Sequence, residues 1–203
     1  MTEHELKTLQ YYDRQAKEFQ ESVSSADMSE ACDRFLKYFD RPVHILDLGC
    51  GTGRDSKYFI NQGHSVVPAD GSEEMCKIAS KVTGAQARRL KFDELDYTEE
   101  FDGVWACASL LHVEREKLPE IISKINKALK IGGIFYMSFK YGKNSEERNG
   151  RYFTDMTEAD VPFLCKEENG FKVLECYITE DVRPKRNNEK WLNIIAKKEG
   201  ERN

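Results

Sequence analysis

The sequence has few of the features that mark several classes of protein. It contains 5 prolines and 13 glycines in 203 residues, too few for a fibrous or low-complexity chain. No stretch reaches the roughly 18 consecutive apolar residues of a membrane span, and no apolar signal segment follows Met1. The six cysteines form no Cys-x-x-Cys pair and no cluster with zinc-ligand spacing. We therefore expect a cytoplasmic protein with free thiols, no bound metal and no membrane segment.

The sequence also has fewer positively than negatively charged side chains. The 31 lysines and arginines are outnumbered by 36 aspartates and glutamates, so the formal net charge is −5. This balance disfavours a strongly basic nucleic-acid-binding module. The length corresponds to one domain, large enough to bury a core without disulfides.

From residue 43 onward, short apolar runs alternate with helical segments. Strands are predicted at Val43–Leu48, Ser65–Ala69, Ala87–Leu90, Phe101–Cys107 and Ile134–Met137, with helices between them. This alternation indicates βαβ units and a parallel sheet. The flanking segments are predicted as helices over the first forty residues, a long polar loop at Lys140–Asp155, a helix start at Thr157 and two closing strands at Phe171–Ile178 and Trp191–Ala196.

The most informative segment is the glycine loop Gly49-Cys50-Gly51-Thr52-Gly53, which lies between a predicted strand and a predicted helix. Glycines allow the backbone to turn sharply and a ligand to approach it closely. Asp47, just before the loop, would repel a pyrophosphate but suits an ammonium group. Asp70 ends the second strand, where a carboxylate can accept hydrogen bonds from ribose hydroxyls. S-adenosylmethionine has both an ammonium group and a ribose, whereas the pyrophosphate of NAD does not suit Asp47.

These stretches resemble the class I S-adenosylmethionine-dependent methyltransferases. The matching stretches occur in the family's order: Ile45–Gly53, Asp70–Ser72, Phe101–Ala106 and Leu129–Phe135. Gly53-Arg54-Asp55-Ser56 is also similar to small bacterial tellurite-resistance methyltransferases. The resemblance implies an α/β fold with a Rossmann-like, doubly wound sheet of seven strands, mostly parallel with an antiparallel last strand, and helices on both faces.

The resemblance also implies how the chain is organised. Residues 1–203 would form a single methyltransferase domain. Residues 1–42 would be an N-terminal helical cap and residues 43–140 the cofactor-binding core. Residues 141–203 would supply a substrate-side loop, a helix and a closing β-hairpin.

The same resemblance implies which residues contact the cofactor. The loop and the second acid would contribute Asp47, Gly49, Cys50, Gly51, Arg54, Asp70, Gly71, Ser72 and Met75. Phe92 and Asp93 would lie beside the adenine, and Ala106, Cys107 and Ala108 along the methionine part. We interpret Cys50 and Cys107 as small packing residues rather than as reactive thiols.

Methyl transfer from a sulfonium is an in-line displacement that needs alignment more than a dedicated catalytic group. A general base is required only when the nucleophile must lose a proton. His112, just after the fourth strand, and Tyr11 and Tyr12, on the first helix, are the candidates for such a role. The segment Ala106–Ser109 lacks the Asn/Asp-Pro-Pro-aromatic tetrapeptide usual in enzymes that methylate base amines or glutamine amides.

The acceptor is expected to be a small molecule, and one or two arginines of the polar loop and the tail could hold an anionic one. Tyr141, Arg148, Arg151 and Arg183 are the candidate substrate contacts. An RNA or protein methyltransferase and a non-catalytic S-adenosylmethionine-binding protein are the alternatives. A dinucleotide oxidoreductase is disfavoured by Asp47 and by the glycine spacing. Monomer and dimer are equally compatible with the sequence.

Overall fold

The helices and strands follow the predicted alternation. The computed structural model describes residues 2–165, 170–183, 186 and 188–200. Three helices come first: α1 (Glu3–Arg14), α2 (Ala16–Val23) and α3 (Ser29–Leu36). The core continues with β1 (His44–Leu48), α4 (Arg54–Asn61), β2 (Ser65–Asp70), α5 (Glu73–Thr83), β3 (Arg88–Arg89), β4 (Phe101–Ala106), α6 (Leu118–Ala128) and β5 (Leu129–Lys140). The remaining elements are β6 (Ser145–Arg148), β7 (Arg151–Thr154), α7 (Val161–Leu164), β8 (Phe171–Glu180) and β9 (Lys190–Lys198).

One sheet of seven strands runs through the molecule in the order β3-β2-β1-β4-β5-β9-β8. The strands from β3 to β5 are parallel, whereas β9 runs antiparallel to both β5 and β8. The predicted Rossmann-like, mostly parallel fold is therefore confirmed. The strand order reverses between β1 and β4, and ligands of open α/β sheets bind in the crevice at such a point.

Side chains alternate between two buried layers, one on each face of the sheet. On β4, Val104 points into the layer under α6, and Trp105 points into the layer under α3 and α4. Trp105 stacks on Tyr136 of β5 with ring centroids 3.8 Å apart. This period of two is the pattern that a strand buried on both faces requires. Among the described residues, no helix has the length and apolar character needed to cross a membrane.

The helices predicted over the first forty residues are confirmed, and α1 and α2 are separated at Gln15, whose φ and ψ are −109° and 19°. One local prediction is wrong. The predicted loop at Lys140–Asp155 instead contains the antiparallel hairpin of β6 and β7. Asn149 and Gly150 form its turn with φ of 52° and 76°, the positive values that a tight two-residue hairpin turn needs.

Phe35 anchors α3 to the sheet and provides a test of this packing. Its side chain is fully buried, with its ring centroid 5.3 Å from that of Trp105 and 5.8 Å from that of Phe59. We expect Phe35→Ala to lower the free energy of unfolding by about 3–5 kcal/mol, because it removes a buried ring and leaves a cavity. Urea denaturation measures the change. Leu6→Ala, at a position 42% exposed, is the control and should shift stability by about 0.5 kcal/mol or less. Equal losses in the two variants would contradict this account of the core.

Candidate active site

The chain turns sharply after β1, and glycine is required there. Gly49 has φ of +82°, and its N–H and that of Cys50 donate to the carbonyl of Ala69 at 2.8 and 2.9 Å. A Cβ atom on Gly49 would lie 2.3 Å from the Cβ of Ser109. Only a residue without a side chain fits between the end of β2 and the segment that follows β4. We call residues 49–53 the glycine bend.

Asp70, at the end of β2, holds the glycine bend from the other side. Its carboxylate accepts hydrogen bonds from the N–H of Gly51 at 2.9 Å and from the N–H of Ser72 at 2.8 Å. Each oxygen has a second lone pair that can accept another donor. Burial raises the pKa of Asp70 to about 6, although both hydrogen bonds oppose that shift.

Asp47 is a second buried carboxylate, near the C-terminal end of β1. Its side chain is 2% exposed and accepts a hydrogen bond from the Ser56 hydroxyl at 2.5 Å. Burial and the nearby charge of Asp55 raise the pKa of Asp47 to about 8. Asp55 itself pairs with Arg54 at 2.7 Å and accepts from the Trp105 indole at 2.9 Å. No lysine, arginine or histidine nitrogen of the described residues lies within 4.0 Å of the Asp47 carboxylate.

A cavity of about 530 Å³ opens at the C-terminal ends of β1, β2, β4 and β5. It brings together most of the predicted cofactor contacts: Asp47, Gly49, Cys50, Gly51, Arg54, Asp70, Gly71, Met75, Phe92, Asp93, Cys107 and Ala108 all line it. Ser72 and Ala106, also predicted contacts, lie behind the wall with no exposed surface. Ala108 has φ of +50°, a strained backbone where the chain leaves β4.

Helices α1 and α2 form the roof of this cavity. Leu9 packs against Gly71, where a Cβ would come within 2.7 Å of the leucine side chain, and Phe19 lies above Gly51. Asp13 accepts a hydrogen bond from the Ser72 hydroxyl at 2.6 Å, which ties α1 to the start of α5. Sequence reasoning assigned none of these three roof residues to the site. The spacing of three and four residues between Leu6, Leu9, Tyr12, Ala16 and Phe19 is the pattern that could have identified two of them.

Two of the three catalytic candidates meet inside the cavity. The Tyr12 hydroxyl lies 2.8 Å from His112 Nε2, and both residues line the cavity. His112 Nδ1 lies 2.6 Å from the carbonyl oxygen of Tyr152. A carbonyl can only accept, so Nδ1 carries the proton and Nε2 accepts from Tyr12. Burial lowers the pKa of His112 to about 4, and the charges of Arg151 and Arg148 lower it as well. Tyr11 is not part of the lining; its ring packs under Arg151.

The four predicted substrate contacts are divided between the cavity and the surface. Arg151 and Arg183 line the cavity, and Arg183 pairs with Asp181. Tyr141 and Arg148 do not line it: the Tyr141 hydroxyl donates to Glu158 at 2.8 Å, and Arg148 pairs with Asp155. The cavity also includes residues that sequence reasoning did not select, among them Arg34, Ser138, Tyr177, Trp191 and Asn193. Within the described part of the chain, no group of three or more His, Cys, Asp or Glu side chains could hold a metal ion.

Comparison with known proteins bears on the same segment. Residues 45–133 match the protein-family model described as methyltransferase domain. The chain is 25% identical over 97 residues to TehB of Haemophilus influenzae, described as a probable S-adenosyl-L-methionine-dependent methyltransferase, with 45% of this chain and 34% of TehB covered. It is 35% identical over 94 residues to the uncharacterized methyltransferase sll0829 of Synechocystis sp., with 45% and 44% covered. The chain thus spans less than half the length of these relatives.

Solved structures show the same fold. The 1,6-didemethyltoxoflavin-N1-methyltransferase of Burkholderia thailandensis matches with a TM-score of 0.74 at 22% identity, over 97% of this chain and 88% of that one. Residues 45–133 thus match a methyltransferase domain, and the chain as a whole shares the fold of this methyltransferase. The resemblance found in the sequence is confirmed, including its likeness to the tellurite-resistance type, because TehB is among both the relatives and the matching structures.

The glycine bend provides a matched pair of variants. Gly49 and Gly63 both have strongly positive φ, but a Cβ on Gly63 meets nothing within 4 Å. Both alanine variants carry the strain of a left-handed backbone, and Gly49→Ala adds a clash with Ser109. We expect Gly49→Ala to be less stable than Gly63→Ala by about 1–3 kcal/mol, the range for an overpacked site. Chemical denaturation of the two variants measures this difference. Similar stabilities would show that the bend tolerates a side chain.

Asp47 predicts a pH-dependent change in stability. Its folded-state pKa of about 8 lies above the ordinary value of 3.8, so the neutral acid favours folding. That contribution is complete below about pH 4 and is lost as the pH rises through about 8. We expect Asp47→Asn to gain several degrees in melting temperature over the wild type as the pH rises from about 5 to about 8.5.

Asp102→Asn is the control for Asp47→Asn. Burial raises the pKa of Asp102, but hydrogen bonds from the His44 N–H and from Lys130 outweigh it, so the pKa is lowered. Its contribution to stability is lost only in strong acid, and its difference from the wild type should be constant over the same pH range. A flat profile for Asp47→Asn would show that Asp47 is ionised in the ligand-free protein throughout that range.

Proposed function

We propose that the protein transfers the methyl group of S-adenosylmethionine to a small-molecule acceptor. The observation that carries the proposal is the pair of buried carboxylates on either side of the glycine bend. No basic nitrogen of the described residues lies within 4.0 Å of the Asp47 carboxylate, so the ammonium group of the cofactor would be its direct ionic partner. Asp70 has acceptor capacity left for the ribose hydroxyls. The residues present therefore fit this cofactor.

S-adenosylmethionine supplies an electrophilic methyl carbon: its bond to sulfur breaks as the bond to the nucleophile forms, and the sulfonium leaves as a neutral thioether. The protein's part is to align the reactants and to exclude water. Cys107 and Ala108 line the cavity just after β4, and the roof formed by α1 and α2 encloses it. This enclosure favours an acceptor small enough to enter the cavity.

We further propose that Tyr12 and His112 take up the proton of a protonated acceptor. The hydroxyl of Tyr12 donates to His112 Nε2, so its own oxygen can accept a proton while its hydrogen moves to the imidazole. The net result is an imidazolium at His112, a tyrosine that is neutral again and an acceptor without its proton. The hydrogen bond from Nδ1 to the Tyr152 carbonyl is kept throughout.

A macromolecular acceptor has less support. Two of the three basic residues that an RNA would contact near β3 are engaged with neighbours: Lys91 pairs with Glu94 at 2.8 Å, and Arg88 donates to the Tyr97 hydroxyl at 2.7 Å. The matching Burkholderia structure holds 1,6-didemethyltoxoflavin and S-adenosylhomocysteine, a precedent for a small acceptor on this fold. Both points favour a small molecule.

Ligand binding tests the cofactor assignment. S-adenosylhomocysteine at about a hundred times its Kd should stabilise the folded state by roughly 2.7 kcal/mol, a rise of about 5–10 °C in melting temperature for a protein of this size. S-adenosylmethionine should act similarly and NAD should not. Asp70→Asn keeps one oxygen acceptor for the glycine bend but should weaken S-adenosylhomocysteine binding, because a charged acceptor becomes neutral. An equal response to NAD, or unchanged binding by Asp70→Asn, would contradict the assignment.

Turnover tests the reaction itself. The protein is incubated with S-adenosylmethionine that carries a labelled methyl group, together with separate low-molecular-weight, RNA and protein fractions of a cell extract. Label should enter the low-molecular-weight fraction and should not when Asp47→Asn replaces the wild type. Incorporation into RNA or protein would favour the alternative acceptors, and no incorporation into any fraction would favour a non-catalytic binding protein.

A further inference from the structure

The described residues of the cavity wall include seven arginine and lysine side chains, and six of them lie in ion pairs. Each of the six lies within 4.0 Å of a carboxylate: Arg34 of Glu175, Arg54 of Asp55, Lys91 of Glu94, Lys140 of Glu189, Arg183 of Asp181 and Arg186 of Glu189. Arg151 is the exception: no carboxylate of the described residues lies within that distance of it. Among the described residues of the wall, Arg151 is thus the one arginine or lysine without an ion pair.

Aromatic rings surround Arg151 and take the place of a carboxylate partner. Its Cζ lies 4.5 Å from the ring centroid of Tyr11, 5.1 Å from that of Phe153 and 5.7 Å from that of Tyr12. These distances are typical of cation–π contacts, which hold the guanidinium in place without cancelling its charge. The guanidinium is therefore held by rings that leave its positive charge in place.

Most of the hydrogen-bonding capacity of Arg151 is also unused. A guanidinium has five N–H donors. Nη1 donates to the Tyr12 hydroxyl at 3.3 Å, and the buried Nε has no hydrogen-bond partner among the described residues. A planar fork with free donors matches the geometry of a carboxylate, which can accept two parallel hydrogen bonds.

We propose that Arg151 anchors an anionic group of the methyl acceptor, a carboxylate or similar oxyanion, beside Tyr12 and His112. This proposal rests on the proposed function and adds the chemical class of the acceptor. The anion supplies the negative charge that the described residues do not place beside this arginine. Its position next to Tyr12 brings the remainder of the acceptor to the residues that take up its proton.

The electrostatics around His112 agree with this placement. The positive charges of Arg151 and Arg148 both act on the imidazole, because each lowers its pKa. Arg148 is neutralised by Asp155. An acceptor anion would do the same for Arg151. The imidazole would then be more basic with the acceptor bound than in the free protein.

The wall around Arg151 also indicates what carries the anionic group. Phe153 lies against the guanidinium, and Phe19, whose ring centroid is 5.2 Å from that of Tyr12, lines the same cavity. Apolar surface of this kind is matched by a hydrophobic or aromatic body rather than by a second charged group. The acceptor is thus an organic acid with an apolar body.

Binding of benzoate and benzamide tests the proposal. Both have an apolar ring and nearly the same shape, but only benzoate is charged. They are titrated by calorimetry into protein saturated with S-adenosylhomocysteine. We expect the wild type to bind benzoate more tightly than benzamide. Arg151→Gln should weaken benzoate binding by about 10- to 100-fold, the range for loss of hydrogen bonds to a charged group. The affinity for benzamide should not change.

Two further variants make the result specific. Arg186→Gln removes the same charge from an ion-paired arginine of the same cavity and should bind benzoate as the wild type does. Arg151→Lys keeps the charge but loses the fork and should bind with intermediate affinity. Three results would each overturn the proposal. Benzoate binding could be unchanged in Arg151→Gln, it could be equally weakened in Arg186→Gln, or it could be no tighter than benzamide binding in the wild type.

Binding of S-adenosylhomocysteine to each variant is measured first and separates the two possible failures. If every variant binds S-adenosylhomocysteine and benzoate does not distinguish Arg151→Gln, the anion site is wrong and the cofactor assignment stands. If the wild type does not bind S-adenosylhomocysteine, the proposed function itself fails.

Discussion

Two hydrogen bonds to a single carbonyl oxygen fix the geometry on which the site depends. The N–H groups of Gly49 and Cys50 both donate to Ala69, so the ends of β1 and β2 are locked together. That lock sets the distance between Asp47 and Asp70 and aims the start of α4 at the cavity. Ser109 fills the space beside Gly49 so closely that the end of β4 is held in the same arrangement. The cavity floor is thus shaped by contacts within the protein itself.

The same cavity floor contains two buried carboxylates that do not stabilise the free protein when they are ionised. Asp47 and Asp70 are held in surroundings that favour their neutral forms, and Asp47 is further disfavoured by the charge of Asp55. A protein selected for stability alone would have apolar or amide side chains at such positions. Acids persist where a ligand supplies the missing charge or donors, because the unfavourable burial in the free protein becomes a favourable interaction in the complex.

The sequence predicted the parts of the molecule that depend on local chemistry. The succession of strands and helices along the chain, the glycine bend and the two acids can be predicted from periodicity and from residue types that have few alternatives. The β6–β7 hairpin was missed because Ser145-Glu146-Glu147-Arg148 shows no apolar alternation, although Asn149-Gly150 is a strong hairpin turn pair. The hydrogen bond between Tyr12 and His112 joins residues 100 positions apart and depends on how α1 packs over the sheet. No local sequence pattern predicts that contact. None predicts that the described residues place no carboxylate within 4.0 Å of Arg151 either.

The hairpin contributes to the site through its main chain as well as its side chains. The carbonyl of Tyr152 is the group that fixes the proton on His112 Nδ1. A backbone oxygen is present whatever amino acid occupies the position, whereas a side-chain acceptor would be lost with the first unsuitable replacement. A substitution at position 152 would therefore leave the tautomer of His112 unchanged, and Nε2 would remain the nitrogen that accepts the hydrogen bond from Tyr12.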